Sequence, residues 1–391
     1  MSRKCPICKS NKTEFITKLC SNMKIMGEHF KNSEADLVCC QKCGLVFSNI
    51  EATQDDFNKY YTSPNCCPLS YKELYGEENS NQYFNEILNK FKHLINQDSY
   101  IIDIASGSGD FALYLKENGY KNIYVLDINE QAINSAKEKG LNAIKSDTME
   151  IPQELINKFD IAILGHSLEH YLDIDKVLLN IKKILKPEGY LYIEVPDAEK
   201  YSNTDSVPFT MFTYEHLYHF TLNTMENLAN AFGYKLLDKK QFFKAASYDV
   251  LYALYQNNGE YKEPVYDETN KKAIKQYVTH CQNKLIPYIS KFEKSQEKLI
   301  LWGIGASTAL LLNETFDKCN VIQLIDRNPA RQNLSYRMGG GGNFLSIQDP
   351  SDITETDATI VIMPYWYHDS IQKQILEMGF KNKITSLMNH N

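Results

Sequence analysis

Several features that mark common classes of protein are missing from this chain of 391 residues. It has no apolar run of about 18 residues, so a transmembrane span is not expected. The amino terminus, Met-Ser-Arg-Lys-Cys, lacks the apolar core of a secretory signal, which predicts a cytoplasmic protein. The chain has no long basic run and a net charge of −7, which disfavours a nucleic-acid partner.

Cysteine is concentrated near the start of the chain, in two C-x-x-C pairs. Cys5 and Cys8 form the first pair, and Cys40 and Cys43 form the second. Without a secretory signal, two such pairs indicate tetrahedral zinc rather than disulfides. A redox C-x-x-C is the alternative, but no thioredoxin-like pattern surrounds either pair. Cys39 has the wrong spacing to Cys43 for a ligand. We expect one structural zinc ion, on which so small a module depends for folding.

A buried strand followed by two glycines and a helix is predicted for residues 100–118. This unit begins a doubly wound α/β sheet. Gly107 and Gly109 lack Cβ, so a ligand can approach the backbone where the strand ends.

The acids around this turn distinguish between two cofactors. The spacing of Gly107, Gly109 and Ala112 also satisfies the dinucleotide fingerprint of NAD-binding proteins. Asp127, after the second predicted strand, can bind the ribose of either NAD or S-adenosylmethionine (SAM). Asp103 lies inside the first strand. A carboxylate there does not stabilise the pyrophosphate of NAD, but it stabilises the sulfonium and ammonium groups of SAM. The pattern therefore favours SAM.

The segment Asp103-Ile-Ala-Ser-Gly-Ser-Gly109 resembles motif I of class I SAM-dependent methyltransferases. Its Ile-Ala-Ser core is similar to the variant in sugar C-methyltransferases that act on nucleotide-linked keto-sugars, although Ala105 replaces the usual first glycine. Asp147 falls where this class places an acid for the adenine amino group, with a plain loop cap as the alternative. The cofactor-binding residues that the resemblance implies are Asp103, Ala105, Gly107, Gly109, Asp127 and Asp147.

Regular alternation of strands and helices continues from residue 100 to about 256. An amphipathic helix over 79–96 precedes it. The segment 51–80 before that helix is an aromatic-rich connector, which is either a substrate-binding wall, since aromatic faces suit sugars, or packing between domains. The predicted strands are 100–104, 122–126, 143–144, 159–164 and 190–195; the predicted helices are 110–118, 129–139, 175–185 and 224–232; a hairpin at 234–242 and 247–256 closes the sheet.

Two clusters of histidine and glutamate follow strands of this sheet. His166-Ser-Leu-Glu169-His170 follows the fourth strand. It can be a metal site, but Glu169-His170 resembles the Glu-His pair that orders the loop below the cofactor in many methyltransferases. We therefore assign this cluster to support rather than to chemistry.

The second cluster is the best candidate for catalysis. Glu215-His216 resembles the catalytic loop of sugar C-methyltransferases, which typically reads Y-H-E-H. Thr213 stands where that family has tyrosine, and Tyr214 is a candidate replacement from a different position. The resemblance implies that His216 is the general base, supported by Glu215 and Tyr214. A packed, hydrogen-bonded histidine is the alternative for His216.

A second strand–glycine–helix unit begins at residue 299, with further strands at 321–326 and 358–363. Together with Tyr365-Trp366-Tyr367 it resembles the carboxy-terminal Rossmann-like domain of the same family. The loop with Gly303 and Gly305 can bind a second nucleotide or simply tighten a turn, so no NAD site is predicted there.

The whole chain thus resembles a three-domain sugar C-methyltransferase of the α/β class. Residues 1–75 are expected to form the zinc module and connector, 76–256 the SAM domain, 257–298 a helical bridge and 299–391 the second Rossmann-like domain. The predicted activity is methylation of a sugar, at a carbon atom beside a keto group. O-methylation of a surface-polysaccharide sugar, an NAD-linked oxidoreductase and a catalytically inactive zinc-containing binding module are the alternatives.

Overall fold

The computed structural model describes residues 3–20, 34–63, 70–203, 208–243, 248–304, 316, 318–329, 331–332, 334–337, 344–364 and 368–386. Gly305 and the aromatic residues 365–367, which were singled out above, lie outside these ranges. Within them, no helix combines the length and apolar character needed to cross a membrane.

The amino-terminal part is a small antiparallel sheet followed by three helices. The sheet contains β1 (Thr13–Cys20), β2 (Glu34–Cys40) and β3 (Val46–Ile50); the helices are α1 (Gln54–Tyr61), α2 (Tyr71–Tyr75) and α3 (Glu77–Phe91). Two of the helices lie where the sequence indicated only a connector. Both begin with a capping box, because Thr53 pairs with Asp56 and Ser70 pairs with Glu73.

The central sheet confirms the predicted α/β architecture. Its elements, with the intervening helices, are β4 (Tyr100–Ile104), α4 (Asp110–Glu117), β5 (Asn122–Asp127), α5 (Glu130–Glu138), β6 (Asn142–Lys145), β7 (Phe159–Gly165), α6 (Ile174–Ile184), β8 (Leu185–Pro196), β9 (Tyr218–His219, in another sheet), α7 (Leu222–Phe232), β10 (Lys235–Phe243) and β11 (Asp249–Gln256). Strand β8 starts immediately where α6 ends and contains Pro187 and Gly189, so it begins earlier than the strand predicted at 190–195.

The strand order of this sheet determines where a ligand can bind. The order is β10-β11-β8-β7-β4-β5-β6, and the five strands from β8 to β6 are parallel. The antiparallel hairpin of β10 and β11 joins at β8. Successive connections run in opposite directions from β4, so the crevice beyond the carboxyl ends of β4 and β7 is the expected ligand site.

The amino-terminal sheet is completed by a strand from far along the chain. Strand β9 pairs antiparallel with β3, with Val46 opposite His219 and Phe47 opposite Tyr218. The backbone N–H of Ser48 also donates to the carbonyl of Leu217 at 2.9 Å. This sheet therefore contains residues from outside the predicted module 1–75, and it holds the segment that follows Glu215 and His216.

The carboxy-terminal part consists of a long helix and a third sheet. The elements are α8 (Thr269–Ser295), β12 (Leu299–Trp302), β13 (Val321–Ile325), β14 (Ser335–Arg337), β15 (Phe344–Gln348), β16 (Thr359–Ile362), α9 (His368–Glu377) and β17 (Ile384–Ser386). The order is β14-β15-β13-β12-β16-β17, parallel except at β14. Helix α8 buries Tyr277, Cys281 and Leu285 in a core that is continuous with the amino-terminal and central sheets.

Candidate functional site

Two adjoining cavities lie at the carboxyl ends of β4, β5 and β7. The larger has a volume of about 570 Å³ and the smaller about 210 Å³. Both are lined by Ala105, Gly107 and His166, which form their common wall. The larger is further lined by Gln54, Asn58, Tyr61, Leu74, Asp127, Ile128, Asn129, Asp147, Thr148, Ser167, His170, Tyr171 and Glu215. The smaller receives Asp103, Ser106, Ser108 and several aromatic side chains.

Asp127 is held at the end of β5 by backbone donors. Its Oδ2 accepts from the N–H of Gly107 at 3.0 Å, and its Oδ1 accepts from the N–H of Asn129 at 2.8 Å. Burial raises the pKa of Asp127, and these backbone hydrogen bonds oppose the increase. The carboxylate is thus fixed in orientation while it lines the larger cavity, as binding of a ribose diol requires.

Asp103 lies in the smaller cavity, separated from the other two predicted acids. Burial, together with the charge of Asp127, raises the pKa of Asp103 to about 7. Among the described residues, no hydrogen bond or ion pair reaches its carboxylate. A positively charged ligand group is therefore the partner that this position suits.

Asp147 lines the larger cavity, with both carboxylate oxygens engaged. Oδ1 accepts from the N–H of Met149 at 2.9 Å, and Oδ2 accepts from the side-chain amide of Asn58 at 2.6 Å. Asn58 belongs to α1, inside the segment interpreted from sequence as a connector. Sequence reasoning missed this residue and Gln54, since neither stands in a recognisable motif.

The turn after β4 adopts a left-handed backbone at three predicted positions. The φ angles are 53° at Ala105, 55° at Gly107 and 75° at Gly109, which precedes α4. Glycine adopts this conformation without penalty, whereas alanine is strained by it. Gly109 does not line either cavity, so its contribution is to the turn that places Gly107.

These residues fit SAM. The larger cavity falls within the usual range of about 300–1,000 Å³ for small-molecule sites. Asp127 and Asp147 offer acceptors to the adenosine, and the carboxylate of Asp103 suits the charged methionine part.

A second group of side chains that line the larger cavity carries acid–base groups. Glu215 and His170 both line it. The hydroxyl of Tyr60 donates to Glu215, and the hydroxyl of Tyr61 is 3.1 Å from Nδ1 of His170. Burial raises the pKa of Glu215 and lowers that of His170 well below its usual value. Both are therefore favoured in their neutral forms.

His216 lies behind His170 rather than on the cavity wall. Its ring centroid is 5.0 Å from that of His170, and its Nδ1 is 3.2 Å from the carbonyl of Met211. Burial lowers the pKa of His216 to about 4, so it is neutral near pH 7. With Nδ1–H donating to Met211, Nε2 carries the lone pair that can accept a proton.

The structure places Tyr214 and Thr213 away from the cavity wall. Tyr214 is 5% exposed and stacks on Phe57 with ring centroids 6.4 Å apart. In the described part of the chain, the buried hydroxyl of Thr213 has no hydrogen-bond partner. Neither residue is therefore in place of the family's tyrosine.

Glu169, His170 and His216 come together in space. One ligand atom from each lies within 4.8 Å of the others, which can accommodate a divalent ion. Glu169 Oε1 and His170 Nε2 are 3.8 Å apart. The structure thus brings together residues of both predicted histidine–glutamate clusters, with His170 on the cavity wall.

A buried pair that the sequence analysis did not combine is His166 with Glu194. The carboxylate Oε1 of Glu194 lies 2.8 Å from Nε2 of His166, and Glu194 is 0% exposed. The signal available in the sequence was a lone acid inside an otherwise apolar strand, since Tyr190-Leu-Tyr-Ile-Glu194-Val places Glu194 within β8. A carboxylate is buried in such a place only where donors hold it.

The four predicted cysteine ligands converge. The sulfur of Cys5 is 3.5 Å from that of Cys43, and the sulfur of Cys8 is 3.3 Å from that of Cys40. All four lie within 4.8 Å of one another, as four Zn–S bonds of about 2.3 Å require. This donor set fits zinc.

The turn after the second cysteine pair depends on glycine. Gly44 has φ 81°, and a Cβ added there would lie 1.9 Å from the carbonyl oxygen of Asp267. No side chain fits this approach, so the second cysteine pair is packed directly against the segment that leads into α8.

Comparison with known proteins supports one assignment. The family model described as a methyltransferase domain matches residues 75–239. The ubiquinone/menaquinone biosynthesis C-methyltransferase UbiE of Rickettsia typhi is 33% identical over 132 residues, which cover 30% of this chain and 53% of that protein. The UbiE of Rickettsia felis is 27% identical over 184 residues, covering 41% and 74%. The chain spans about half the length of the first of these relatives.

Solved structures of methyltransferases are also similar to this chain. The 1,6-didemethyltoxoflavin-N1-methyltransferase of Burkholderia thailandensis, with bound S-adenosylhomocysteine, is 15% identical, with TM-score 0.39, covering 55% of this chain and 96% of that one. Magnesium protoporphyrin IX methyltransferase from Synechocystis is 12% identical, with TM-score 0.40, covering 52% and 98%. The match of the family model to the strands that build both cavities is the informative result. Residues 75–239 are a methyltransferase domain by this match.

Proposed function

We propose that the chain transfers a methyl group from SAM to a carbon atom beside the keto group of a sugar. A nucleotide-linked sugar is the first substrate to test. The observation that carries this proposal is the shared cavity, which is lined by cofactor acids and by acid–base groups. When bound, SAM supplies a methyl group on a positively charged sulfur, which a nucleophilic carbon displaces.

The acceptor side of the cavity supports a polar substrate. It presents Gln54, Asn58, Tyr61, His170 and Glu215, which offer hydrogen-bond donors and acceptors to a polyhydroxylated ring. The curated relatives act, by their names, on carbon, which favours C-methylation over O-methylation. The described lining has no lysine or arginine, so a diphosphate would lie outside this cavity.

In the proposed mechanism, the side chains on the acceptor wall handle the proton. His216 accepts the proton α to the sugar ketone at Nε2 through His170, which lines the cavity and whose ring it contacts. Glu215, held by Tyr60, hydrogen-bonds the acceptor. The fixed geometry of both groups lowers the barrier by positioning.

Deuterium exchange tests this proposal. With SAM and a panel of free and nucleotide-linked keto-sugars in deuterated water, solvent deuterium is expected to enter the carbon beside the ketone. The His216→Ala variant should lose about 100-fold or more of both exchange and methylation, as for loss of a general base. His93→Ala, which changes an exposed histidine, is the matched control.

The products of the same incubation separate the alternatives. Methylation without any exchange, giving a methyl ether, would instead identify an O-methyltransferase, which the missing tyrosine at Thr213 leaves open. Full activity of His216→Ala would show that another group is the base.

The affinity for SAM is expected to rise with pH because of Asp103. Its pKa is raised to about 7, so in the folded protein the carboxyl is largely protonated below that pH. The ionised form binds the cationic methionine part better. Affinity should therefore increase about five- to tenfold between about pH 6 and pH 7.5, measured by calorimetry. In Asp103→Asn the affinity should be low and nearly constant over this range; an unchanged pH dependence would contradict the assignment.

We also propose that Cys5, Cys8, Cys40 and Cys43 hold one structural zinc ion. Their convergence and the fit of their sulfur distances support this role. All four coordination positions would be filled by protein, so the ion would stabilise structure and take no part in the chemistry.

A further inference from the structure

The carboxylate of Glu194 is held by three donors inside the protein. Tyr192 donates from its hydroxyl to Oε2 at 2.7 Å, Tyr83 donates to Oε1, and Nε2 of His166 lies 2.8 Å from Oε1. A fully buried carboxylate is costly unless it is hydrogen-bonded in this way. Neither Glu194 nor His166 has a role in the proton transfer proposed above.

His166 is tied to the same residue by its backbone. Its N–H donates to the carbonyl of Glu194 at 2.9 Å. Its φ angle is 49°, in the left-handed region that non-glycine residues rarely adopt. Such strain persists where the surroundings enforce it, and it clusters at functional sites. The backbone and the side chain of His166 are thus both positioned by Glu194.

The imidazole of His166 stands where the two cavities meet. It lines both of them, together with Ala105 and Gly107. Nε2 is directed at Glu194, while Nδ1 lies 3.4 Å from the hydroxyl of Tyr248, at the outer limit of a hydrogen bond. Nδ1 is therefore the ring nitrogen better placed to leave its long contact with Tyr248 and form a shorter hydrogen bond with a ligand.

Three hydroxyls near the acceptor wall do not line the cavity in this structure. The hydroxyl of Thr213 is buried, Tyr214 is packed on Phe57, and Tyr60 is bonded to Glu215. We propose that His166 is a further catalytic residue, donating from Nδ1 to the carbonyl oxygen of the acceptor, and that Glu194 is its positioning residue. This inference rests on the proposed function and specifies its substrate class as a carbonyl compound.

The proton transfer balances without any further reactant. The C–H bond beside the carbonyl breaks, and its proton goes to His216. The electron pair forms the C=C bond, and the pair of the C=O π bond moves to oxygen. Nδ1–H of His166 stabilises the resulting negative charge, and the carboxylate of Glu194 stabilises the positive charge of the imidazolium.

Charged and titratable groups surround His166 on several elements. Glu194 on β8 and Tyr83 on α3 contact Nε2, and Tyr248 before β11 contacts Nδ1. Asp103 shares the smaller cavity. His170 lines the larger one, with His216 behind it; a charge on His166 adds to the burial that lowers the pKa of both.

Exchange of the substrate proton measures this role apart from methyl transfer. In deuterated water with S-adenosylhomocysteine in place of SAM, we expect His166→Gln to lower the rate of deuterium incorporation about 100- to 1,000-fold. The affinity for SAM should change less than about threefold by calorimetry. His93→Gln, at an exposed position, should match the wild type in both measurements.

The pH dependence separates positioning from a purely structural role of Glu194. In Glu194→Gln the alkaline limb of the exchange profile should move to lower pH by about one to three units, because the charged imidazole loses its carboxylate. Glu194→Asp should restore part of the rate and of the profile. Since Glu194 is buried, His166→Gln tests the proposal independently should Glu194→Gln fold poorly.

The results that overturn the inference differ from those that overturn the proposed function. Wild-type exchange rates and an unchanged pH profile in the variants would overturn the inference while the function stands. Parallel loss of SAM binding in His166→Gln would assign the pair to the cofactor and also overturn it. Absence of both exchange and methylation by the wild type on every keto-sugar would overturn the proposed function first.

Discussion

Replacing Cys40 and Cys43 together with serine is expected to remove zinc and abolish methyl transfer, although neither residue lies near the cavities. Structural zinc contributes about 10–16 kcal/mol to small cysteine modules, which is as much as the whole stability of a typical domain. The sheet of β1, β2 and β3 should therefore lose its order in this variant.

The amino-terminal sheet contacts the segment that follows Glu215 and His216, so loss of order in the sheet should displace these two residues. The second cysteine pair leads directly into β3, which pairs with β9 two residues after His216. Arg3, beside the first pair, donates to the carbonyl of Ser48 at 2.7 Å and to the hydroxyl of Tyr218 at 2.6 Å. A displacement of about 1 Å in a catalytic group costs about 100-fold in rate, so loss of this support should exceed that.

Metal analysis, calorimetry and hydrogen exchange together test this expectation. The wild type should contain about one zinc per chain and the double variant none. Amides of residues 211–220 should exchange faster in the variant, while SAM still binds to the central sheet. Cys39→Ser is the matched control, because the Cys39 sulfur faces the backbone carbonyls of Cys40 and Gly44 rather than the other thiols. Zinc retained in full by the double variant would refute the ligand assignment.

The central sheet could be predicted from sequence because its signals are local. Each strand is a short apolar run, and the acids that serve the cofactor follow directly in chain order. Asp103, Gly107 and Asp127 therefore fall at one edge of the sheet once the strands are parallel, and the structure brings them to adjoining cavities.

The acceptor side could not be predicted in the same way because tertiary contacts build it. Strand β9 has two residues and no periodic pattern, so nothing in the sequence indicates its pairing with β3. Asn58 and Tyr61 enter the cavity from α1, whose aromatic residues fitted a substrate-binding wall and packing between domains equally well. His216 carries the recognisable motif, yet the structure puts His170 between it and the cavity.

The contact between His166 and Glu194 could be predicted only if the pairing of their two strands was known. Glu194 interrupts an apolar strand, and His166 ends the neighbouring one. The register of β7 and β8 places Gly165 opposite Glu194, which brings the two side chains together. An acid buried in one strand thus predicts a polar partner at the end of its neighbour, provided that the register is known.

Gly107→Val is expected to eliminate SAM binding and leave the domain folded. Gly107 has φ 55°, which a β-branched residue adopts only with strain of about 1–2 kcal/mol. A typical domain tolerates that cost. The new side chain would lie on the wall shared by the two cavities, where the cofactor must pass from Asp127 towards Asp103.

The backbone of Gly107 adds a second reason for a large effect. Its N–H donates to Oδ2 of Asp127 at 3.0 Å, so relief of the strain by rotation would break this bond and release the carboxylate that binds the ribose. Steric exclusion and loss of a charged acceptor act together. Calorimetry should detect no binding of SAM or S-adenosylhomocysteine at about 1 mM, which corresponds to a loss of several kcal/mol from ordinary cofactor affinities.

Gly140→Val provides the control for strain alone. Gly140 also has a left-handed backbone, with φ 68°, but a Cβ there would meet only the flexible end of Lys116. It lines neither cavity, so this variant should lose similar stability in thermal unfolding and bind SAM like the wild type. If both variants bound SAM equally well, Gly107 would not lie against the cofactor. If both lost binding equally, the defect would be one of folding. Loss confined to Gly107→Val would locate the cofactor at the turn after β4, because only there do strain and obstruction coincide.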